Sequence, residues 1–206
     1  VAATVKNARG KTESLTQTYT ASAAAAVLHA TVFPNSSSVL VGVAQPVVVR
    51  FDQKVKGHDN RLAVLQRLQV TTTPAVPGAW RWYNSFEAHY HAEHYWKSGT
   101  VIMAGADLSG VRLPGTDTWG TNTEVKKRMS IGLNYQSVVD ITAHTMTVRL
   151  DGKVIRVLKV STGRDMYPTK GGVHIGLTRE KVHTYNSGTV GIPKGRPGAY
   201  CENRPA

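Results

Sequence analysis

Three histidines, His89, His91 and His94, fall in one short stretch with the spacing His-x-His-x-x-His. In an extended strand His89 and His91 project to the same face, so their imidazoles have the right disposition to share a metal ion. A closed zinc site needs a fourth ligand, and Glu87 or Glu93 could supply it. The setting of the cluster argues otherwise. Residues 71–100 also hold three of the four tryptophans, Trp80, Trp82 and Trp96, together with Tyr83, Tyr90 and Tyr95. Such a concentration of rings is first of all packing material, because each aromatic buries far more apolar area than an aliphatic side chain. No metal and no cofactor is therefore assigned. A metal-dependent binder or hydrolase built on the three histidines stays as an alternative. Metal analysis of protein prepared without a nickel step decides it.

Cys201 is the only thiol. A reactive cysteine needs an activating partner, and the nearest histidines in sequence, His183 and His174, reach it only through folding. It reads as an incidental thiol near a chain end, and no residue is assigned as catalytic. One cysteine also forms no internal disulfide, so cysteine usage does not fix the compartment.

The elements that must position these residues are strands. Trp80 and Trp82 alternate with Ala79, Arg81 and Tyr83, the period of two of a strand. Pro74, Pro77 and Gly78 break the chain before this run, and Lys97-Ser98-Gly99 break it after. Trp80, Trp82 and Trp96 are expected in a core or at a domain interface rather than as a sugar-stacking platform. Upstream, residues 1–20 read as a hairpin around Asn7-Ala8-Arg9-Gly10, followed by a small-residue connector over 21–26. Residues 39–43, 47–51, 69–73, 101–106 and 125–131 are further strands. In the last of these, Val125, Lys127 and Met129 share a face. One helix is expected over 59–68, with Leu62, Leu65 and Leu68 on one side and Asp59 or Asn60 as N-cap. Residues 114–122 read as a loop.

From residue 137 the pattern restarts. Runs over 138–142, 145–150 and 154–161 are strands, and Asp151-Gly152 between two of them is a strong hairpin signal. Residues 171–177 and 181–185 are expected as another strand pair. A long Gly- and Pro-rich segment then covers 186–200, a length usually associated with function or disorder. Short strands separated by turn residues at this spacing predict an all-β protein with a sandwich.

The 25 Lys+Arg against 13 Asp+Glu give a formal charge of +12, which favours an anionic partner. The basic residues are scattered singly, with only Lys126-Lys127-Arg128 in a run, itself expected on a solvated strand face. No basic helix, zinc-finger spacing or RNA-binding signature accompanies them, so nucleic acid is excluded as the partner. An anionic wall polymer or acidic glycan satisfies the same charge. No apolar run approaches a membrane span, and no signal peptide is visible. Val1 opens in mid-pattern, as expected for a piece of a longer chain.

Several motifs in a fixed order carry a family resemblance. Val41-Gly42-Val43, Pro46-Val47, Arg50-Phe51-Asp52, Val70-Thr71-Thr72, Gly78-Ala79-Trp80, Trp82, His94-Tyr95-Trp96 and Gly99-Thr100 resemble the bacterial immunoglobulin-like domain that precedes the catalytic domain of actinobacterial, mycobacterial-type L,D-transpeptidases. The run TMTVRLDGKVIRVLKVST (145–162), Gly163, Pro168-Thr169, Gly172 and Gly191-Ile192-Pro193 resemble the opening strands and substrate lid of the catalytic domain itself.

The resemblance implies an extracytoplasmic, secreted cell-envelope protein of peptidoglycan 3→3 cross-linking, a class targeted by carbapenems. Those enzymes form a thioester from a tetrapeptide stem on a cysteine and pass the acyl group to an acceptor amine. It implies that Tyr185, Val190, Gly191, Pro193 and Tyr200 belong to the lid lining the donor channel, with Val190 standing where the family often has an aromatic. Gly188, Gly191, Gly195 and Gly198 would let that lid open. The expected division is the end of a preceding module and connector (1–26), an immunoglobulin-like domain (27–132) and an incomplete catalytic domain (133–206). The Ser-His-Gly-Cys stretch that carries the nucleophile is absent from the sequence, and the expectation is a chain without activity of its own. Residues 201–206 are also expected to depart from the family, which runs on into a strand there. The alternative is a non-enzymatic wall-binding or spacer protein.

Overall fold

Alternation of apolar and polar residues makes strands wherever one face can be buried, and that rule accounts for most of the chain. The computed structural model describes residues 2–16, 18, 23–34, 40–163, 165–176 and 181–205. In chain order the elements are β1 (Ala2–Lys6), β2 (Thr12–Thr16), β3 (Ala26–Leu28), β4 (Ala30–Phe33), β5 (Leu40–Val41), β6 (Val47–Phe51), helix α1 (His58–Leu65), β7 (Leu68–Thr73), β8 (Gly78–Trp82), β9 (Glu87–Ala92), β10 (Val101–Ala106), β11 (Thr118–Gly120), β12 (Val125–Ile131), β13 (Tyr135–Asp140), β14 (Thr145–Leu150), β15 (Lys153–Lys159), β16 (Val182–Asn186) and β17 (Cys201–Pro205). Gln17, Tyr19, Thr20, Ala21, Ser22, Val39, Leu177 and Ala206, which the sequence reading assigned to strands, a connector or the chain end, lie outside the described residues.

Two four-stranded sheets form a sandwich. One has the order β5-β12-β10-β7 and the other β4-β6-β9-β8. Val32, Val47, Val49 and Phe51 from the second meet Ile102, Ala104, Met129 and Ile131 from the first in one continuous core. Each fully buried aliphatic or aromatic side chain stabilises by about 1.5–3 kcal/mol relative to exposure. Lys127 shares the inward face of β12 with Val125 and Met129, as the alternation requires, and is only half-buried. Trp82 packs on Phe51 with ring centroids 5.3 Å apart, and Trp80 meets Tyr90 edge-on at 5.4 Å. Trp96 is buried and donates its indole N–H to the Gln45 carbonyl at 2.8 Å. All three tryptophans therefore pack in or against the core.

Four local expectations are corrected. The helix spans His58–Leu65, so Leu68 starts β7 instead of ending α1. Its N-cap is Gly57 at φ 83°, with no side-chain cap bond. The Asn60 amide instead donates to the Lys56 carbonyl, and Val64, not Leu62, faces the core. Residues 114–122 contain β11, which pairs in parallel with β3. Gly120 is required in that strand, because a Cβ there would overlap the Leu108 backbone carbonyl. Residues 171–176 form no strand, and β16 pairs with β17 across the 186–200 segment. Residues 201–205 are thus a strand.

The β1–β2 hairpin closes where expected, with the Asn7 side chain accepting from the Arg9 and Lys11 amides. After β12 the chain enters a three-stranded antiparallel meander, β13-β14-β15. Asp151 and Gly152 between its last two strands have φ of 48° and 81°, the pair of positive values that a two-residue hairpin turn matched to strand twist demands. The meander supplies none of the buried core; Val138, Val154, Ile155 and Val157 are all exposed. Strand amides without a covering layer open readily. Backbone hydrogen exchange across β13–β15 is therefore expected to run at least about tenfold faster than across β6, β9 and β10. Equal protection of the two sets contradicts this account of the meander.

Candidate functional site

The long hairpin formed by β16, β17 and the loop between them collects the sequence-predicted lid residues. Tyr185 pairs with Glu202, and Asn186 with Cys201, in the antiparallel ladder. At the loop's start Asn186 caps a single 3-10 turn (Ser187–Val190) by accepting from the Gly188 amide at 2.8 Å. Gly191 ends that turn in the left-handed region at φ 81°, a conformation that costs a side-chain-bearing residue.

Ser187 is the residue that sequence reasoning missed. It is almost fully buried although its neighbours in the loop are exposed. Its hydroxyl donates to the Ile192 carbonyl at 2.9 Å and accepts from the Tyr200 amide at 3.0 Å. Its backbone also bonds both positions, donating from N–H to the Tyr200 carbonyl and accepting from the Ile192 amide. One small side chain thus fastens the two limbs of the loop together. A serine among glycines and threonines gives no sequence signal that would distinguish it.

Tyr200 stands between two depressions. One is lined by Ser161, Tyr185, Tyr200, Glu202 and Arg204. The other is lined by Asn186, Ser187, Lys194, Arg196 and Cys201 as well as Tyr200. The first is of mixed sign: Glu202 accepts two hydrogen bonds from the Arg204 guanidinium, at 3.0 and 2.6 Å, and these raise the guanidinium further above its already basic value. The second is cationic. Tyr185, Val190 and Tyr200 are all accessible to a ligand, and Pro193 follows Gly191 in the outer limb. Cys201 is exposed and unpaired, and faces Asn186 across the ladder, whereas His183 lies opposite Arg204. No histidine pairs with the thiol in the ladder, so the hairpin has no built nucleophile–base pair.

The histidine cluster lies elsewhere, on the outer face of the β4-β6-β9-β8 sheet. Glu87, His89 and His91 alternate outward along β9, while Ala88 faces the core. Glu87 joins Arg50 (2.7 Å) and His89 (3.2 Å) in one network, and Tyr83 stacks flat on His89 at 4.8 Å. His94 lies past the end of β9. Among the described residues no three His, Cys, Asp or Glu side chains converge as a metal site requires.

Burial alone would raise the Glu87 carboxyl, but the hydrogen bonds from His89 and Arg50, and the charge of Arg50, outweigh it and hold the group below its ordinary value. Burial, then the charges of His89 and Arg81, lower His91.

The comparisons agree with this architecture. Residues 1–112 match the family model of the bacterial Ig domain, and the chain belongs to that family. It is related to L,D-transpeptidase 2 of Mycobacterium tuberculosis, with 34% identity over 169 residues covering 82% of this chain and 40% of the relative. L,D-transpeptidase 1 of the same species is 29% identical over 164 residues, covering 80% of this chain and 57% of the relative. The chain thus spans about half the length of the relatives it matches. Among solved structures, an LD transpeptidase in complex with imipenem superposes with a TM-score of 0.66 at 26% identity, covering 84% of this chain and 71% of that one. An L,D-transpeptidase from Mycobacterium smegmatis gives 0.58 at 30% identity, covering 84% and 70%. The recognition of a mycobacterial-type L,D-transpeptidase relative, and the all-β fold with its immunoglobulin-like part, are both established. Among the described residues no helix is long and apolar enough to cross a membrane.

Two predictions follow from these networks. Both Glu87 and His91 have folded pKa values below their unfolded ones, so protonation favours the unfolded chain. Their stabilisation is complete above the ordinary values and is lost as the pH falls through the depressed ones, His91 below 6.5 and Glu87 below 4.5. The melting temperature is expected to fall on acidification in both ranges. His91→Gln should flatten the upper range and Glu87→Gln the lower; unchanged profiles in both variants refute the assignment. Separately, Ser187→Ala leaves the Tyr200 amide and the Ile192 carbonyl without the hydroxyl, at a cost of about 1–3 kcal/mol. Exchange of the Tyr200 amide should accelerate about tenfold or more while β6 amides stay unchanged.

Proposed function

We propose that this chain is the immunoglobulin-like domain (27–132) and the substrate-side strands and lid (133–206) of an extracytoplasmic L,D-transpeptidase, secreted to the cell envelope and serving peptidoglycan 3→3 cross-linking. The observation that carries the reading is the β16–β17 hairpin: its loop is fastened by Ser187, it carries the motif Gly191-Ile192-Pro193, and Tyr185 and Tyr200 stand exposed on it. In this reading Tyr185, Val190, Gly191, Pro193 and Tyr200 face the donor stem peptide. The depression beside Lys194 and Arg196 suits the stem's carboxylates. Val190, smaller than an aromatic, leaves the pocket wider.

Acyl transfer on a cysteine needs a thiolate, a base and oxyanion donors. Cys201, across the ladder from Asn186, has none of these arranged around it. The 206 residues therefore supply recognition and not the nucleophile. An anionic wall polymer is the second partner, drawn by the +12 charge.

The test is intact mass spectrometry of the 206-residue chain before and after incubation with imipenem, the ligand in the related structure. No covalent adduct is expected. A single adduct lost in Cys201→Ala would make that thiol a nucleophile and overturn the assignment of roles. Recognition is tested on the same chain by titrating a tetrapeptide stem: Tyr200→Ala should weaken binding by about tenfold, at the scale of one lost aromatic contact.

A further inference from the structure

The outer face of the β4-β6-β9-β8 sheet has no part in the hairpin chemistry, yet its side chains are ordered as a surface. Tyr83 is 72% exposed and lies within 8° of parallel to the His89 ring that it covers. It is held flat, with its outward face open to solvent. The next ring along β9, His91, is 6.1 Å from His89, centre to centre. Arg81 is paired with His89 across the β8–β9 ladder, and Ala79 with His91. His91 lines two adjoining depressions. One runs past Pro77, Gly78, Ala79 and Arg81, and the other past Gln45, Pro46, His94 and Tyr95.

An exposed aromatic held flat is a stacking platform for a sugar ring, and a guanidinium with an adjacent imidazole is a receptor for carboxylate or phosphate. The carboxylates on the face must be counted against that. Glu87 is already engaged by Arg50 and His89, so it repels little. Glu93 lines both depressions beside His91 and opposes an anion in each, but only the one past Pro77, Gly78 and Ala79 also holds the Arg81 guanidinium. The anionic group is therefore placed toward Arg81, with the sugar over Tyr83.

We propose that the face running from Tyr83 across His89 and Arg81 to His91 binds an anionic glycan, a sugar chain bearing carboxylate or phosphate groups, and binds it more tightly as the pH falls. The charged and titratable groups that face His91 are His89 and Glu87 on the same strand, Arg81 on β8, Arg50 on β6, and Glu93 and His94 beyond β9. Burial and the neighbouring positive charges keep His91 neutral at neutral pH. An anion seated beside it restores the charged form, so binding takes up a proton and strengthens on acidification. The inference rests on the reading of an anionic wall polymer as partner and places that partner on one face.

The experiment is a calorimetric titration of the 206-residue chain with a polygalacturonate fragment, with dextran of similar length as the neutral probe and a single-stranded oligonucleotide of equal charge as the polyanion without pyranose rings. Binding to polygalacturonate is expected to be at least about fivefold tighter near pH 5.5 than near pH 8. Tyr83→Ala and Arg81→Gln should each weaken it by about fivefold or more, and His91→Gln should abolish the pH dependence. The double variant Lys126→Gln/Arg128→Gln, on the outer face of the opposite sheet, should change it less than twofold. Equal losses from the two sheets, or an oligonucleotide bound as tightly as the glycan, would reduce the effect to net charge and overturn the proposal. Absence of polygalacturonate binding altogether would remove the wall-polymer reading with it. Dextran bound as tightly as polygalacturonate would remove the anionic part.

Discussion

Everything in the sandwich depends on how Trp96 is seated. The residue lies in the crossing from β9, in one sheet, to β10, in the other. Its backbone N–H donates to the Val43 carbonyl and its indole N–H to the Gln45 carbonyl, both at 2.8 Å. Val43 and Gln45 lie in the second crossing between sheets, from β5 to β6. A single ring, stacked near Tyr90 at 6.3 Å, therefore ties together two places where the chain changes layers. A short distance on, the Gly99 amide donates to the Ile131 carbonyl, and the Ile131 amide to that of Thr100. Once these crossings are fixed, the sheets have little freedom to slide, and the outer residues of β8 and β9 acquire a defined order.

Much of this was legible in the sequence, for a physical reason. Period-two alternation is enforced by burial on one face, so β6, β7, β8, β10 and β12 show plainly in the pattern. The Asp151-Gly152 turn announced itself because few residue pairs tolerate two positive φ angles in succession. Where burial does not enforce a pattern, the reading slipped. β11 is three residues long and pairs with β3 from far along the chain, a contact set by tertiary structure alone. The helix cap misled because Asn60, a good capping residue, spends its side chain on the Lys56 carbonyl while Gly57 supplies the backbone geometry.

The candidate site was legible in outline only. The tyrosines and the Gly-Ile-Pro motif marked the hairpin, but the partner of β16 was assigned upstream when it lies downstream, in β17. Isolated strands of similar composition carry no information about which of them pair. Ser187 was invisible for a related reason: its role comes from four bonds to Ile192 and Tyr200, residues brought beside it only when the loop closes on itself. The histidine spacing, by contrast, was correctly placed on one face of a strand, and what that face does depends on Tyr83, Arg50 and Arg81 from neighbouring strands.

The fastening at Ser187 also bears on how the long loop meets whatever approaches it. A free loop of this length must give up backbone entropy at each residue it orders on contact. Here the limbs are already joined at the base by Ser187 and Tyr200, and the first limb is folded back onto Ser187 at Ile192, so part of that loss is incurred in folding and not repeated at encounter. The loop presents a preformed surface, and its selectivity can come from shape rather than from adjustment. A ligand that fits gains affinity without an ordering penalty, and one that does not fit has to break buried hydrogen bonds to be accommodated.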